Sequence, residues 1–294
     1  MKAVVFPGQG SQYVGMASER YHAEPAVKKI IDQADEILGF SLSNIMFEGP
    51  EESLKQTEYT QPALYVHSMA LYQSIEIIPD CVAGHSLGEF SALTAAGVFS
   101  FEEGLKLVRL RGQLMQDAGK QTSGAMGAVI GLEDDTVHRI CKKISDESNE
   151  TVLPANFNSK GQIVISGHSN AVILALNSFK KIGAKMALPL AVSGAFHSPL
   201  MQSAYDEFKL RLEKVAFSDA NVPVYSNVNG KPSKSAKNLK NNILQQILKP
   251  VLWTQTIEHM ISDGVKEVVE LGPGKVLQGL VKRIDRSLQL SGIQ

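Results

Sequence analysis

The sequence predicts an α/β fold, a mainly parallel sheet flanked by helices and interrupted by a smaller α+β insertion. Three observations predict it. Short apolar runs at 3–6 and 81–83 read as strands, and 265–271 reads as a late strand. Stretches of helical periodicity separate them, as expected for parallel strands joined by crossovers. From about Gly124 onward the segments become shorter and the turn signals more frequent.

The first strand, 3–6, runs into the loop Pro7-Gly8-Gln9-Gly10-Ser11-Gln12. Helical periodicity then covers 26–38, with Ile30, Ile31, Ala34 and Leu38 on one side. A second helix is expected over 61–75. Pro79-Asp80 interrupts the chain, and Cys81-Val82-Ala83 begins a strand that runs into Gly84. Leu87, Phe90, Ala92, Leu93 and Ala96 give a compact helix closed by Gly97. Ser100-Phe101-Glu102-Glu103 has the spacing of a capping box, so a helix should run from there to about Ala118.

Beyond Gly124, strands are expected at 125–132, 162–166 and 185–192, with helices at 134–148 and 170–182. This β-α-β-α-β series suggests a ferredoxin-like subdomain over 124–191, inserted in a large unit made of 1–123 and 192–294. The later chain reads as helices at 199–215 and 239–248, a strand at 265–271, Gly272-Pro273-Gly274 and a basic helix. The Lys-, Ser- and Asn-rich stretch 233–242 is either a solvated loop or a helix start.

Composition bounds the function. The chain has 294 residues, 44% hydrophobic and 20% charged, which is ordinary for a globular protein. Lys plus Arg is 29 and Asp plus Glu is 30, a balance that argues against nucleic acid as the main partner. Cys81 and Cys141 form no CxxC pair and read as buried thiols in a reducing compartment. The N-terminal apolar run is too short for a signal peptide, and no stretch approaches the roughly 18 to 20 residues that span a bilayer. A cytoplasmic protein without a membrane partner is expected.

The central chemical signal is Gly84-His85-Ser86-Leu87-Gly88, a G-x-S-x-G nucleophile elbow between a predicted strand and a predicted helix. Flanking glycines allow the tight turn that pushes the serine Oγ outward, and the N–H of Leu87 can face an oxyanion. The serine needs a base, and seven histidines are available. His85 adjoins the nucleophile and points away from it. His22, His138 and His259 lie in polar helical contexts, and His67 and His168 have no distinguishing surroundings. His197 sits in the loop Ser193-Gly194-Ala195-Phe196-His197-Ser198-Pro199, where functional side chains gather. From spacing alone it is either the base or a packed histidine. No acid between Ser86 and His197 stands out, and Asp206 and Glu207 read as helix-surface charges. A dyad whose histidine is held by a backbone carbonyl is therefore an alternative to a triad.

Arg111 falls within the apolar stripe of Leu105, Val108 and Met115. A buried guanidinium needs an anion, either an internal carboxylate or the carboxylate of a ligand. The loop at 7–12 is not phosphate-binding: it lacks the Lys-Ser/Thr of a P-loop, and Tyr13 occupies the third glycine position of G-x-G-x-x-G. Its better role is a tight turn after the first strand that places a backbone N–H near the serine as a second oxyanion donor.

The chain resembles the malonyl-CoA:acyl carrier protein transacylase family over essentially its whole length. The resemblance is carried by Phe6-Pro7-Gly8-Gln9-Gly10-Ser11-Gln12, Gly84-His85-Ser86-Leu87-Gly88-Glu89, Arg111-Gly112 and Gly124-Ala125-Met126. It continues through Asn156-Phe157-Asn158-Ser159, Gly161-Gln162-Ile163-Val164-Ile165-Ser166-Gly167, Gly194-Ala195-Phe196-His197-Ser198-Pro199-Leu200-Met201 and Glu270-Leu271-Gly272-Pro273-Gly274-Lys275. It implies a hydrolase-like large domain with a ferredoxin-like insertion. It assigns Ser86 as nucleophile, His197 as base, Arg111 to the malonyl carboxylate, and the N–H groups of Gln9 and Leu87 to the oxyanion hole. Asn158 joins the substrate-binding set, and Phe196 favours malonyl over methyl-branched units by its volume. The carbonyl that orients His197 is implied to come from Pro250-Val251-Leu252-Trp253, at Leu252, where many relatives carry Gln.

The implied activity is ping-pong transfer of malonyl from malonyl-CoA, through a malonyl-serine ester, to the phosphopantetheine thiol of acyl carrier protein, supplying fatty acid biosynthesis. The implied partners are malonyl-CoA or CoA and the carrier protein, with no metal, no cofactor and a monomeric enzyme. The rival readings are a thioesterase or other serine hydrolase, a free-standing acyltransferase serving a polyketide synthase, and a silent carrier-docking protein. The basic residues Lys275, Lys282, Arg283 and Arg286 are either a carrier contact or a solvated helix face.

Overall fold

A computed structural model describes residues 1–294 and contains two sheets. In chain order the strands are β1 (Lys2–Phe6), β2 (Cys81–Gly84), β3 (Gly124–Ile130), β4 (Val152–Ser159), β5 (Gln162–His168), β6 (Met186–Pro189), β7 (Val224–Tyr225), β8 (Pro232–Ser233), β9 (Glu267–Leu271) and β10 (Gln289–Ile293). The large sheet has the order β10-β9-β1-β2-β7-β8 and is parallel up to β7, with β8 antiparallel at its edge.

β1 lies inside this sheet and is covered on both faces, which is why its apolar run is unbroken rather than alternating. Its side chains still obey the strand period of two. Val4 and Phe6 enter a core of 47 buried residues, and Ala3 and Val5 enter a second core of 15. Helices Pro25–Leu38, Thr57–Ser74, Phe101–Gln121 and Gln202–Leu212 supply the first core. Trp253–Ser262 and Val276–Ile284 supply the second. The capping box at Ser100 forms by half. The Ser100 hydroxyl accepts the Glu103 N–H at 3.1 Å, while the Glu103 carboxylate pairs with Arg211.

The small sheet is antiparallel in the order β4-β5-β3-β6, with helices Asp134–Ser148 and Ser169–Lys181 packed against it. With β4 included, the series is β-α-β-β-α-β, the ferredoxin-like arrangement. The sequence reading misses β4 for a physical reason. Pro154 sits inside it, and register shifts at Pro154/Asn156 and Phe157/Ser159 break the alternation. It also misses the edge strand β10, and the strand expected at 185–192 is limited to Met186–Pro189. The segment before Trp253 ties the two sheets together, since Val251 donates to the Ala155 carbonyl and accepts from the Phe157 N–H, both at 2.9 Å. No helix is long and apolar enough to cross a membrane.

Candidate active site

β2 ends at Gly84 and helix Gly88–Ala95 begins four residues later, so Ser86 occupies the sharp turn between them. Its φ of 50° lies in the left-handed region, which an L-residue enters at a cost of about 1–2 kcal/mol. The flanking glycines are required by close approach. A Cβ on Gly84 would lie 1.9 Å from the Gly88 carbonyl, and one on Gly88 would lie 2.0 Å from the Phe6 oxygen. Asn227 pins the turn from outside. Its Oδ1 accepts the Ser86 N–H and its Nδ2 donates to the Gly84 oxygen, both at 2.7 Å.

The Ser86 hydroxyl lies 2.8 Å from Nε2 of His197, and Nδ1 of His197 lies 2.7 Å from the carbonyl oxygen of Gln246. A carbonyl only accepts, so Nδ1 carries the proton and Nε2 is free to take one from Ser86. Burial first, and then the nearby Arg111 charge, push the His197 pKa down to about 3, which keeps the imidazole neutral at physiological pH. No carboxylate takes part, so the dyad alternative is the one the geometry adopts.

The carbonyl that holds His197 belongs to Gln246, which corrects the expectation of Leu252. Leu252 precedes the first turn of helix Trp253–Ser262, and its oxygen already accepts the Thr256 N–H and hydroxyl, both at 2.9 Å. Gln246 follows helix Ala236–Gln245, where carbonyls lack intrahelical partners and are free for another donor.

Arg111 is only 1% exposed, on helix Phe101–Gln121. Nη1 donates to Gln61 Oε1 at 2.8 Å, and Nη2 donates to Gln246 Oε1 at 2.9 Å and Ser86 Oγ at 3.2 Å. All of these acceptors are neutral, and Nε has none. Burial lowers the guanidinium pKa to about 10, so it remains a cation at neutral pH. Of the two anions the sequence left open, no internal carboxylate bonds to it directly.

These groups meet at a cavity of about 290 Å³. Its lining includes Gln9, Ser86, Leu87, Arg111, Phe196 and His197 from the large unit and Met126, Asn158 and Val164 from the small sheet. The loop after β1 reaches it because Gly8 packs against the elbow, where a Cβ would lie 2.4 Å from the His85 oxygen. The backbone N–H groups of Gln9 and Leu87 have no protein acceptor. Asn158 Oδ1 lies 2.8 Å from His85 Nε2, and Phe196 lines the cavity beside His197. His22 and His138 are exposed, and buried His67 has no hydrogen-bond partner on either ring nitrogen.

Sequence reasoning missed Gln246, Asn227, Gln61 and the contact of Glu89 with Gln246. Gln246 is the hub. Besides holding His197 and Arg111, its Nε2 donates to the Ser86 carbonyl at 2.9 Å and to Glu89 Oε2 at 2.7 Å. A serine activated by a neutral imidazole, two free N–H groups and a buried cation together suit acyl transfer with a carboxylated acyl group.

The comparisons with known proteins agree with this chemistry. The acyl transferase domain profile matches residues 3–290. A malonyl CoA-acyl carrier protein transacylase of Staphylococcus aureus is 43% identical over 293 residues, 99% of this chain and 95% of the relative. One from Bacillus subtilis is 44% identical over 290 residues, 98% of this chain and 91% of the relative. The crystal structure of an acyl carrier protein S-malonyltransferase from Vibrio cholerae superposes with a TM-score of 0.95 at 43% identity, covering 100% of this chain and 96% of that one. A malonyl-transacylase solved in complex with a type II polyketide synthase acyl carrier protein superposes at 0.96 and 42% identity, covering 99% and 95%. The chain belongs to the malonyl-CoA:acyl carrier protein transacylase family of acyltransferases.

Proposed function

We propose that the protein transfers a malonyl group from malonyl-CoA to the phosphopantetheine thiol of an acyl carrier protein, with Ser86 carrying the group between them. One observation carries this reading beyond a generic serine acyltransferase. The buried Arg111 cation, bonded only to neutral acceptors, lies 3.2 Å from the Ser86 hydroxyl and faces the same cavity. A carboxylate there replaces the Nη2–Oγ hydrogen bond and sets the thioester carbon in reach of Oγ.

In the first half-reaction Ser86 Oγ attacks the thioester carbon and His197 Nε2 takes its proton. The oxyanion is held by the N–H groups of Gln9 and Leu87. The C–S bond then breaks, and the imidazolium returns its proton to coenzyme A. In the second half-reaction His197 takes the proton of the carrier's phosphopantetheine thiol, the thiolate attacks the malonyl ester, and Ser86 leaves as the alcohol with that proton. One copy of the chain and the two thiol carriers supply every group in this scheme. Phe196, buried beside His197, limits the room for an α-methyl group, and Asn158 sets the His85 edge of the cavity.

Intact-protein mass spectrometry after brief mixing with malonyl-CoA tests the reading. A malonyl adduct on the wild type and none on Ser86→Ala, discharged by holo carrier protein, is the expected result. An adduct that drains to free malonate at the same rate with or without carrier would make the protein a hydrolase.

A further inference from the structure

Glu89 is 1% exposed and follows the elbow in helix Gly88–Ala95. Its Oε2 accepts the side-chain amide of Gln246 at 2.7 Å and the backbone N–H of Asn227 at 3.2 Å. The oxygen of the same Gln246 amide accepts from Arg111 at 2.9 Å. A carboxylate only accepts and a guanidinium only donates, so these two groups fix which end of the Gln246 amide faces which. The result is an ion pair with one amide between its members. Arg111 is the charged group that acts on Glu89 across the amide, and the neutral donors around the carboxylate are Gln246, Asn227 and Ser226.

This spacing has a consequence for selectivity. A carboxylate in direct contact would occupy the guanidinium face a ligand needs, whereas no counter-charge at all would leave a buried cation uncompensated. Resting on the malonyl-transfer reading above, we propose that Glu89 is a positioning residue that tunes acyl selectivity. Its negative charge, held one amide away, supports Arg111 in place while repelling the incoming acyl carboxylate, and so sets how strongly carboxylated acyl groups are preferred over neutral ones.

The variant Glu89→Gln isolates the charge. The glutamine oxygen can keep the bonds from Gln246 and Asn227, and its NH₂ can face the Ser226 hydroxyl. The measurement is the rate of Ser86 acylation by malonyl-CoA relative to acetyl-CoA, each followed by intact-protein mass spectrometry at subsaturating thioester. Because His197 and the oxyanion donors serve both substrates, their contributions cancel in the ratio. Measured above pH 8, where Glu89 is ionised, removing the charge should raise the malonyl-to-acetyl ratio by up to about 10-fold, the scale of one charge acting across the site at an intermediate dielectric. The gain should appear as a lower KM for malonyl-CoA and little change for acetyl-CoA.

The wild type provides a test that needs no variant. Burial raises the Glu89 pKa to about 7, so the ratio should rise as pH falls from 8 to 6 in the wild type and stay flat in Glu89→Gln. Equal losses for both thioesters would reduce Glu89 to a structural residue, and an unchanged ratio in both tests would overturn the proposal. Failure of the wild type to take malonyl at all would instead remove the functional reading on which the proposal rests.

Discussion

Replacing Asn227 with alanine tests whether the strained elbow is held from outside. Asn227 is fully buried and makes two 2.7 Å hydrogen bonds to the elbow, one from the Ser86 N–H and one to the Gly84 carbonyl. Alanine orphans the Ser86 N–H and the Gly84 carbonyl, each at about 1–3 kcal/mol when buried. Relaxation of Ser86 out of the left-handed region returns about 1–2 kcal/mol, which leaves a net loss of about 3 kcal/mol. For a chain of this size that lowers the melting temperature by roughly 6 °C. The same relaxation moves Oγ away from its 2.8 Å contact with His197. A displacement of about 1 Å costs on the order of 100-fold in rate. Thermal unfolding and the pre-steady-state rate of malonyl-serine formation are the two assays. Wild-type values in both would refute the argument outright. A lower melting temperature with an unchanged acylation rate would refute the claim that Asn227 positions the nucleophile.

Three further outcomes follow from the same geometry. Arg111→Met should slow acylation by malonyl-CoA about 100-fold or more while acylation by acetyl-CoA changes by less than about threefold, because only the former uses the charge-assisted contact. Equal losses in the two stopped-flow rates would count against Arg111 as the carboxylate site. Gly88→Ala should yield little folded protein on circular dichroism, since its Cβ would lie 2.0 Å from the Phe6 oxygen and 2.9 Å from the Pro7 oxygen, and a native melting curve would contradict that packing. Burial holds the His67 pKa near 3, below its ordinary 6.5, so the unfolded chain binds the extra proton and stability is lost as pH falls through 6.5. That loss is about 2 kcal/mol at pH 5, and His67→Leu should remove it from the difference between urea titrations at pH 7 and pH 5.

The sequence exposed those parts of the site whose chemistry depends on local pattern. Gly84-His85-Ser86-Leu87-Gly88 was legible because its residues form one short contiguous pattern, even though Gly88 is demanded by a contact with distant Phe6 while Gly84 is demanded by Gly88 itself. Arg111 was legible because a cation in an apolar helical stripe is anomalous without reference to anything else. Gln246 and Asn227 carried no such signal. They act across 160 and 141 residues from Ser86, and an amide in a polar stretch looks like any surface amide until the chain folds. The same distinction explains the Leu252 error. The helix start at Trp253 was not among the expected elements, so nothing marked the Leu252 carbonyl as already committed to Thr256. In the fold, β1 and β2 were legible because burial on both faces makes them almost uniformly apolar, and β4 was lost where bulges disturbed its period.

The use of a carbonyl rather than a carboxylate behind His197 follows from Arg111. The guanidinium already acts on His197, lowering its pKa. A carboxylate at the Gln246 position would stabilise the imidazolium, but it would also lie beside a buried cation whose acceptors are now all neutral. The two would pair, since an uncompensated buried charge takes the nearest opposite one. The face that meets the acyl carboxylate in the proposed reaction would then be neutralised from within. Gln246 avoids this by giving both neighbours uncharged acceptors, its main-chain oxygen to His197 and its side-chain oxygen to Arg111. The nearest negative charge, Glu89, is kept behind the amide. In the proposed reaction the same residue would orient the base for any thioester while leaving the cation open to carboxylated acyl groups, so the absence of a triad acid fits selectivity rather than a defect in catalysis.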